Sequence, residues 1–312
     1  MTDDVSRSTI TTQERAIEGR ERERTFRATP QLNKSRLHGL WALTNRDLVK
    51  WYKNPIQLFI SLVQPVVWLG LFGKAFNLGA FLTSNPTVPP AVVAAQTEAF
   101  VGTTSYFSYL GAGMLAFIIL FTAAFAGMSV VWDRRFGFMN KALSTPVGRG
   151  AIVTGKVLQS VIRSLVQAAI VLGIAVALGM DTTYFSALNI AGAFVMLFLM
   201  SFGLSGLFVM LALRSSDWQT QMAVINLLNL PLLFASNAML PVAIMPSWLQ
   251  SVIKYNPVSY AVDGVRQMLL GTASAKGYTV LAPLWVDFGV LTLFAALLSI
   301  LGIVLSWRLL TK

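Results

Sequence analysis

Cysteine is absent from this 312-residue chain, so it has neither a disulfide framework nor a thiolate metal site. Histidine occurs once, as His38. Charge is scarce: 12% of residues are charged, against about 25% in ordinary soluble domains, and 55% are hydrophobic. That leaves too little polar surface to cover a water-soluble globule of this size, and the mean hydropathy of +0.65 agrees. Acidic residues are the rarest charged class, 13 against 24 Lys and Arg, which gives a formal net charge of +11. A basic surplus can mean nucleic-acid binding, but it is equally the signature of cytoplasmic loops in a membrane protein. Where the charge lies decides between the two.

Most charged residues lie outside long apolar runs. A helix crossing a bilayer needs roughly 20 mostly apolar residues. Six stretches qualify, at about 56–79, 106–131, 151–178, 187–213, 220–240 and 282–307. The first contains Pro65 and approaches Lys74; the fifth is interrupted by Asn226, Asn229 and Pro231. An even number of spans places both termini on one side. Of the 24 Lys and Arg, 20 then fall on the side of the termini, which the positive-inside bias makes cytoplasmic. The surplus is therefore a topology signal, and no nucleic-acid partner is expected. The expected location is a prokaryotic-type cytoplasmic membrane, crossed several times.

The expected fold is an all-α polytopic membrane protein with six transmembrane helices. Residues 1–35 read as a disordered cytoplasmic tail without the apolar core of a cleaved signal. Residues 36–54 read as an amphipathic interface helix, an anchor on anionic lipid or a docking surface for a partner: Leu37, Leu40, Trp41, Thr44, Leu48, Trp51 and Tyr52 recur at helical spacing. Residues 55–312 form the membrane domain. Within it, 241–281 holds Pro241, Pro246, Trp248, Asn256 and Pro257, then an apolar-periodic stretch ending at Gly271. Two short helices broken by proline, too short to span and too apolar to be solvated, form a re-entrant outer hairpin between the fifth and sixth spans.

Two motifs fail on context. Gly150, Gly155 and Lys156 nearly spell a phosphate-binding loop, but Val157 stands where a hydroxyl must hold magnesium and no strand precedes it. Gly203-Leu204-Ser205-Gly206 matches the serine motif of rhomboid-type intramembrane proteases, yet the sole histidine is outside the spans. Small residues inside a span usually mark close helix approach. A stand-alone, ion-coupled secondary transporter is the alternative reading, but it needs carboxylates or paired charges mid-membrane. The spans hold Arg163 near the start of the third and Asp287 near the outer end of the last.

The connection 132–150 remains. It carries Asp133, Arg134, Phe136, Gly137, Phe138, Met139, Leu143 and Pro146. A loop that only joined two spans would not place so many large apolar groups in water, whereas a helix docked in a partner's groove, or a second interfacial helix on lipid, would account for them.

At these residues the chain resembles the transmembrane subunit of an ATP-binding-cassette exporter of the type-2 permease family, in the pattern of its drug-resistance (daunorubicin-type) branch. The acidic-Arg-x-x-Gly stretch and following Leu-x-x-x-Pro of that family match Asp133, Arg134, Gly137, Leu143 and Pro146. The chain has Arg135 where the family often has a second acid, and Phe138 where it often has Thr or Ser. The outer segment is similar to the family's Leu-Pro-x-Trp-Leu and Asn-Pro-x-x-Tyr-x-x-Asp-x-x-Arg signatures through Pro246, Trp248, Asn256, Pro257, Tyr260, Asp263 and Arg266. The resemblance implies a permease that binds no cofactor itself. Two separate ATPase subunits would hold ATP and Mg2+, and a second permease copy or paralogue would complete the complex. Segment 132–150 would couple to the ATPase, with Trp41 and Trp51 on the interface helix beside it. The cargo would be a drug, lipid or glycan. Asp263 and Arg266, three apart on a helix, would pair at the outer face and hold the hairpin.

Overall fold

The computed structural model describes residues 36–74, 89–103, 105–139, 149–215, 217–272 and 281–310. The expected tail 1–35 and the coupling residues Leu143 and Pro146 lie outside these. Every regular element among the described residues is helical.

Local chemistry sets the helix boundaries. Helix α1 is Arg36–Tyr52. Helix α2, Pro55–Trp68, opens with Pro55 at its first position, while the Asn54 side chain accepts from the Gln57 N–H at 3.2 Å. Pro65 inside α2 removes one ladder donor, and the helix continues from there as a π-helical turn, Leu69–Lys74. Helix α3 is Pro90–Val101. Helix α4, Tyr106–Arg135, is capped by Ser105, and α6, Ala187–Ala212, by Ser186. Between them runs α5, Arg149–Ala177. Asp217 caps α7, Trp218–Phe234. A 3-10 turn at Val242–Ile244 leads to the short helix α8, Ser247–Ile253, then α9, Pro257–Leu270, and α10, Leu284–Leu310.

Among the described residues, five helices are long and apolar enough to cross a membrane: Pro55–Lys74, Tyr106–Arg135, Gly150–Ala177, Ala187–Ala212 and Leu284–Gly302. The fifth expected stretch, 220–240, forms α7, whose 17 residues stop at Phe234, just past Pro231. By length and composition the described residues therefore hold five candidate spans, one fewer than the six expected. Helix α4 is the axis of the bundle: 83% of its most apolar window is buried in the fold, against 17% for α2 and 22% for α10. Helices α5, α6, α7 and α9 all pack on it.

Close approach depends on small residues. A Cβ on Gly113 would sit 2.0 Å from the Ala238 carbonyl oxygen, and one on Gly127 would sit 2.5 Å from that of Phe208. The Gly203–Gly206 motif has the same use, since a Cβ on Gly203 would meet the Phe294 ring at 2.6 Å. Ser205 bonds Ser160 at 2.8 Å and Ser164 bonds Ser201 at 2.7 Å, so these hydroxyls pin α5 to α6. Gly150 to Val157 is continuous helix rather than a phosphate-binding loop.

Helix α1 runs along α5 in the same direction: Thr44 meets Gly155, Asp47 meets Lys156 and Trp51 meets Arg163. Replacing Gly113 with Ala should force α4 and the segment after α7 apart. The expected cost is about 2–3 kcal/mol, read as a lowered thermal-unfolding midpoint of the purified chain.

Candidate functional site

Two clusters organise the ends of α4. At the end where α5 begins, Asp133 is in the last turn of α4 and is 9% exposed. A carboxylate cannot stay ionised at such a site without cations nearby. Arg46 reaches it from α1 at 2.8 Å and Lys156 from α5 at 2.5 Å. The same two cations also hold Asp47, at 2.5 and 2.6 Å respectively. Two acids and two bases from three helices thus close into one neutral, largely buried cluster. The Arg46 guanidinium also lies over the Phe138 ring, 3.5 Å from its centroid.

Beside this cluster, Arg134 donates to the carbonyl oxygens of Leu213 and Ser215, both at 3.0 Å. These are carbonyls at and beyond the end of α6, which have no donor within the helix. Trp132 stacks on Trp218 of α7 with ring centroids 5.6 Å apart. The end of α4 therefore touches α1, α5, α6 and α7 within one helical turn.

The chain then turns at Gly137, whose φ of +72° suits a residue without a Cβ. Phe136, just before it, is 79% exposed. Trp41 is exposed at 54%, whereas Trp51 is buried at 7%. Of the four aromatics expected to face a partner, Phe136 and Trp41 stand in the open, while Phe138 and Trp51 pack inward.

At the opposite end the proline-rich segment is built from caps. Pro241 precedes the 3-10 turn and Pro246 precedes α8. Trp248 is exposed, and the Tyr260 hydroxyl donates to the Lys254 carbonyl at 2.7 Å. Asn256 does two jobs with one amide. Its Oδ1 accepts from the Val258 N–H at 3.0 Å, starting α9 with Pro257 at its first position, and its Nδ2 donates to Leu232 and Ala235 at the end of α7.

Arg266 is fully buried and donates to the carbonyls of Tyr109, Asn237 and Ala238, with its guanidinium 3.3 Å from the Tyr109 ring centroid. Asp263 accepts from the Leu281 and Ala282 N–H groups at 3.0 and 3.3 Å and from Gln267 at 3.1 Å. The pairing expected between Asp263 and Arg266 is thus replaced by separate sets of bonds. Arg266 ties α9 to α4 and the chain after α7, and Asp263 ties α9 to the approach to α10. Gln267 also donates to Asp287 at 2.9 Å.

Residues 38–270 match the ABC-2 type transporter family. The chain belongs to that family. Similar proteins include the ycf38 protein of Cyanophora paradoxa, 30% identical over 73% of this chain and 72% of its own length. They also include the daunorubicin resistance ABC transporter permease protein DrrB1 of Streptomyces coeruleorubidus, 26% identical over 88% of this chain and 87% of its own. Nodulation protein J of Rhizobium leguminosarum bv. trifolii is 25% identical over 74% and 80%. The chain is accordingly a multi-pass ABC transporter permease, a family that works with ABC ATPase partners.

Reading the sequence of this permease missed Asp47 and Lys156 as members of the cluster. Their signal was present: Asp47 and Lys156 stand in segments that are otherwise apolar or basic. Burial alone would raise the Asp47 carboxyl, but Lys156 and Arg46 hold it below its ordinary 3.8. A depressed carboxylate adds stability that is present above its unfolded value and is lost as pH falls through its folded one. The thermal midpoint should stay level from neutral pH down to about 4 and drop below it, and Asp47→Asn should flatten that drop. Lys156→Met leaves two acids to one arginine and should cost about 3 kcal/mol at neutral pH, by the same melting measurement.

Proposed function

We propose that the chain is the membrane half of an ATP-driven exporter, paired with a second copy or a paralogue and with two separate ATPase subunits that carry ATP and Mg2+. Both termini face the cytoplasm, the chain crosses the cytoplasmic membrane six times with α7 as its shortest crossing, and α8 and α9 re-enter the outer leaflet. The observation that carries this reading is Phe136. A large apolar ring stands 79% exposed at the end of α4, held out by the Gly137 turn and backed by the four-charge cluster. An isolated exposed ring is unremarkable, but this one sits on a rigid mount joined to four other helices, where a push is transmitted.

ATP binding by the ATPases favours one arrangement of the spans over another by as much as its contacts differ between the two. The coupling segment and α1 receive that difference together, because Asp133, Asp47, Arg46 and Lys156 bind them into one body. Amphipathic or lipid-like cargo suits the apolar cavity of about 330 Å3 between α2 and the end of α7, lined by Trp68, Phe72, Tyr106, Leu233, Phe234 and Met239.

A second reading, ion-coupled transport by the permease alone, draws on Asp263 and Asp287, which share Gln267. The two readings separate in reconstituted vesicles. The exporter requires the ATPase and ATP, and transport by the permease alone under an ion gradient would overturn it. Replacing Phe136 with Asp should abolish co-purification with the ATPase while membrane insertion stays normal; an unchanged complex would remove Phe136 from the interface.

A further inference from the structure

The buried cluster leaves one cation out. Arg163 lies on α5 two turns beyond Lys156. Asp47 and Asp133, the acids nearest along α1 and α4, are already held by Arg46 and Lys156. Among the described residues no carboxylate lies within ion-pair distance of Arg163. Its Nε is buried without a hydrogen-bond partner, and so is Nε1 of Trp51, which is 93% buried. The Arg163 guanidinium lies over the Trp51 ring, 5.7 Å from its centroid, so the two residues that carry the orphan donors are neighbours. Neither is a group that a fold leaves unpaired without cost: an unmet buried donor costs about 1–3 kcal/mol, and more when charged.

Arg163 is the partly exposed member of the pair. Val166, one turn on, is 42% exposed, and Arg163 itself is half-buried at the border of that outward face. The 29 residues of α5 extend roughly 43 Å at 1.5 Å per residue, against a hydrocarbon core of about 30 Å. The excess places the first turns of α5 in the headgroup region and Arg163 roughly 10 Å deeper than Lys156. Helical side chains lean toward the N-terminus, here back toward the headgroups, which is the direction in which a lipid phosphate would meet the guanidinium. An indole N–H beside an arginine at that depth presents two donors to one phosphodiester.

We propose that Arg163 and Trp51 form a binding site for the headgroup phosphate of an anionic phospholipid in the leaflet at the α5 N-terminus, the inner leaflet under the orientation proposed above. The lipid lies in the crevice where α1 meets α5, its phosphate accepting from Nε1 of Trp51 and from the guanidinium, its chains along the exposed face of α5 at Val166. It supplies the counter-charge that the fold lacks and fastens the end of α1 to the third span. The site does not depend on how transport is driven, so its failure leaves the exporter reading untouched.

The test is native mass spectrometry of the full purified chain with added phosphatidylglycerol or phosphatidylcholine. The wild type should retain one phosphatidylglycerol in preference to phosphatidylcholine. Arg163→Gln should weaken phosphatidylglycerol retention roughly fivefold and leave phosphatidylcholine unchanged. Trp51→Phe keeps the ring and loses only the donor, and should reduce the preference by a smaller factor. It decides the matter if Arg163→Gln does not fold. An undiminished preference in the folded variants would overturn the site. So would displacement of the lipid by millimolar inorganic phosphate, which would assign the two donors to a free anion.

Discussion

Two carboxylates buried near the end of a membrane helix must be neutralised where they stand, and much of this permease is arranged around meeting that demand. Asp133 ends the central helix, and Asp47 faces it from α1. Each cation bridges both acids, so no single contact can be given up without leaving a charge unmet in a place that water barely reaches. A cluster of this kind adds little net stability over an apolar packing of the same volume, because desolvation offsets most of the attraction. What it does fix is geometry. The arrangement that satisfies all four groups has α1, the end of α4 and the start of α5 in one register, so these three elements move together.

The other end of α4 is held by different chemistry. Arg266 has no salt bridge there; it gathers carbonyls from α4 and from the chain after α7, while Asp263 gathers backbone N–H groups ahead of α10. Charges bonded to backbone dipoles fasten irregular chain, which in a lipid surrounding has no water to satisfy it. Asn256 does the same for the frayed end of α7. The hairpin of α8 and α9 is thus secured to the central helix, while α2 stays on the periphery and shares an apolar cavity with the end of α7. A bundle with a rigid axis and lightly held flanking helices can change the width of that cavity without dismantling its core.

The apolar runs and the proline-broken helices of 241–281 were legible in the sequence because they depend on local chemistry: hydropathy over a window, and a ring that limits where a helix can run. The Gly203–Ser205 stretch was legible as a packing motif for the same reason. The direction of α1 was not, since an amphipathic stripe says which face is apolar and leaves open whether lipid or another helix covers it. Phe138 and Trp51 read as exposed anchors, yet each is turned inward by an arginine far away in sequence, Arg46 and Arg163. The cluster itself joins residues up to 109 positions apart, and no window of sequence holds such a pairing.

The disposition of the acids also bears on where the energy enters. A carboxylate can exchange protons usefully only if its charged form is not already committed. Asp47 and Asp133 are committed to two cations each, and Asp263 to backbone N–H groups and Gln267. Asp287 accepts from the same Gln267 through Oδ2, has its Oδ1 buried without a partner, and sits at the start of α10, away from the Asp133 cluster. Asp47, Asp133 and Asp263 are thus engaged in holding helices in place, and two of the exposed aromatic groups, Phe136 and Trp41, stand at the end where the charges are locked. Force applied there meets a body that cannot absorb it by local rearrangement, since any local shift would strand a buried charge. Such a load would pass along α4 and α5 to the spans, in keeping with the ATPase coupling proposed for that end.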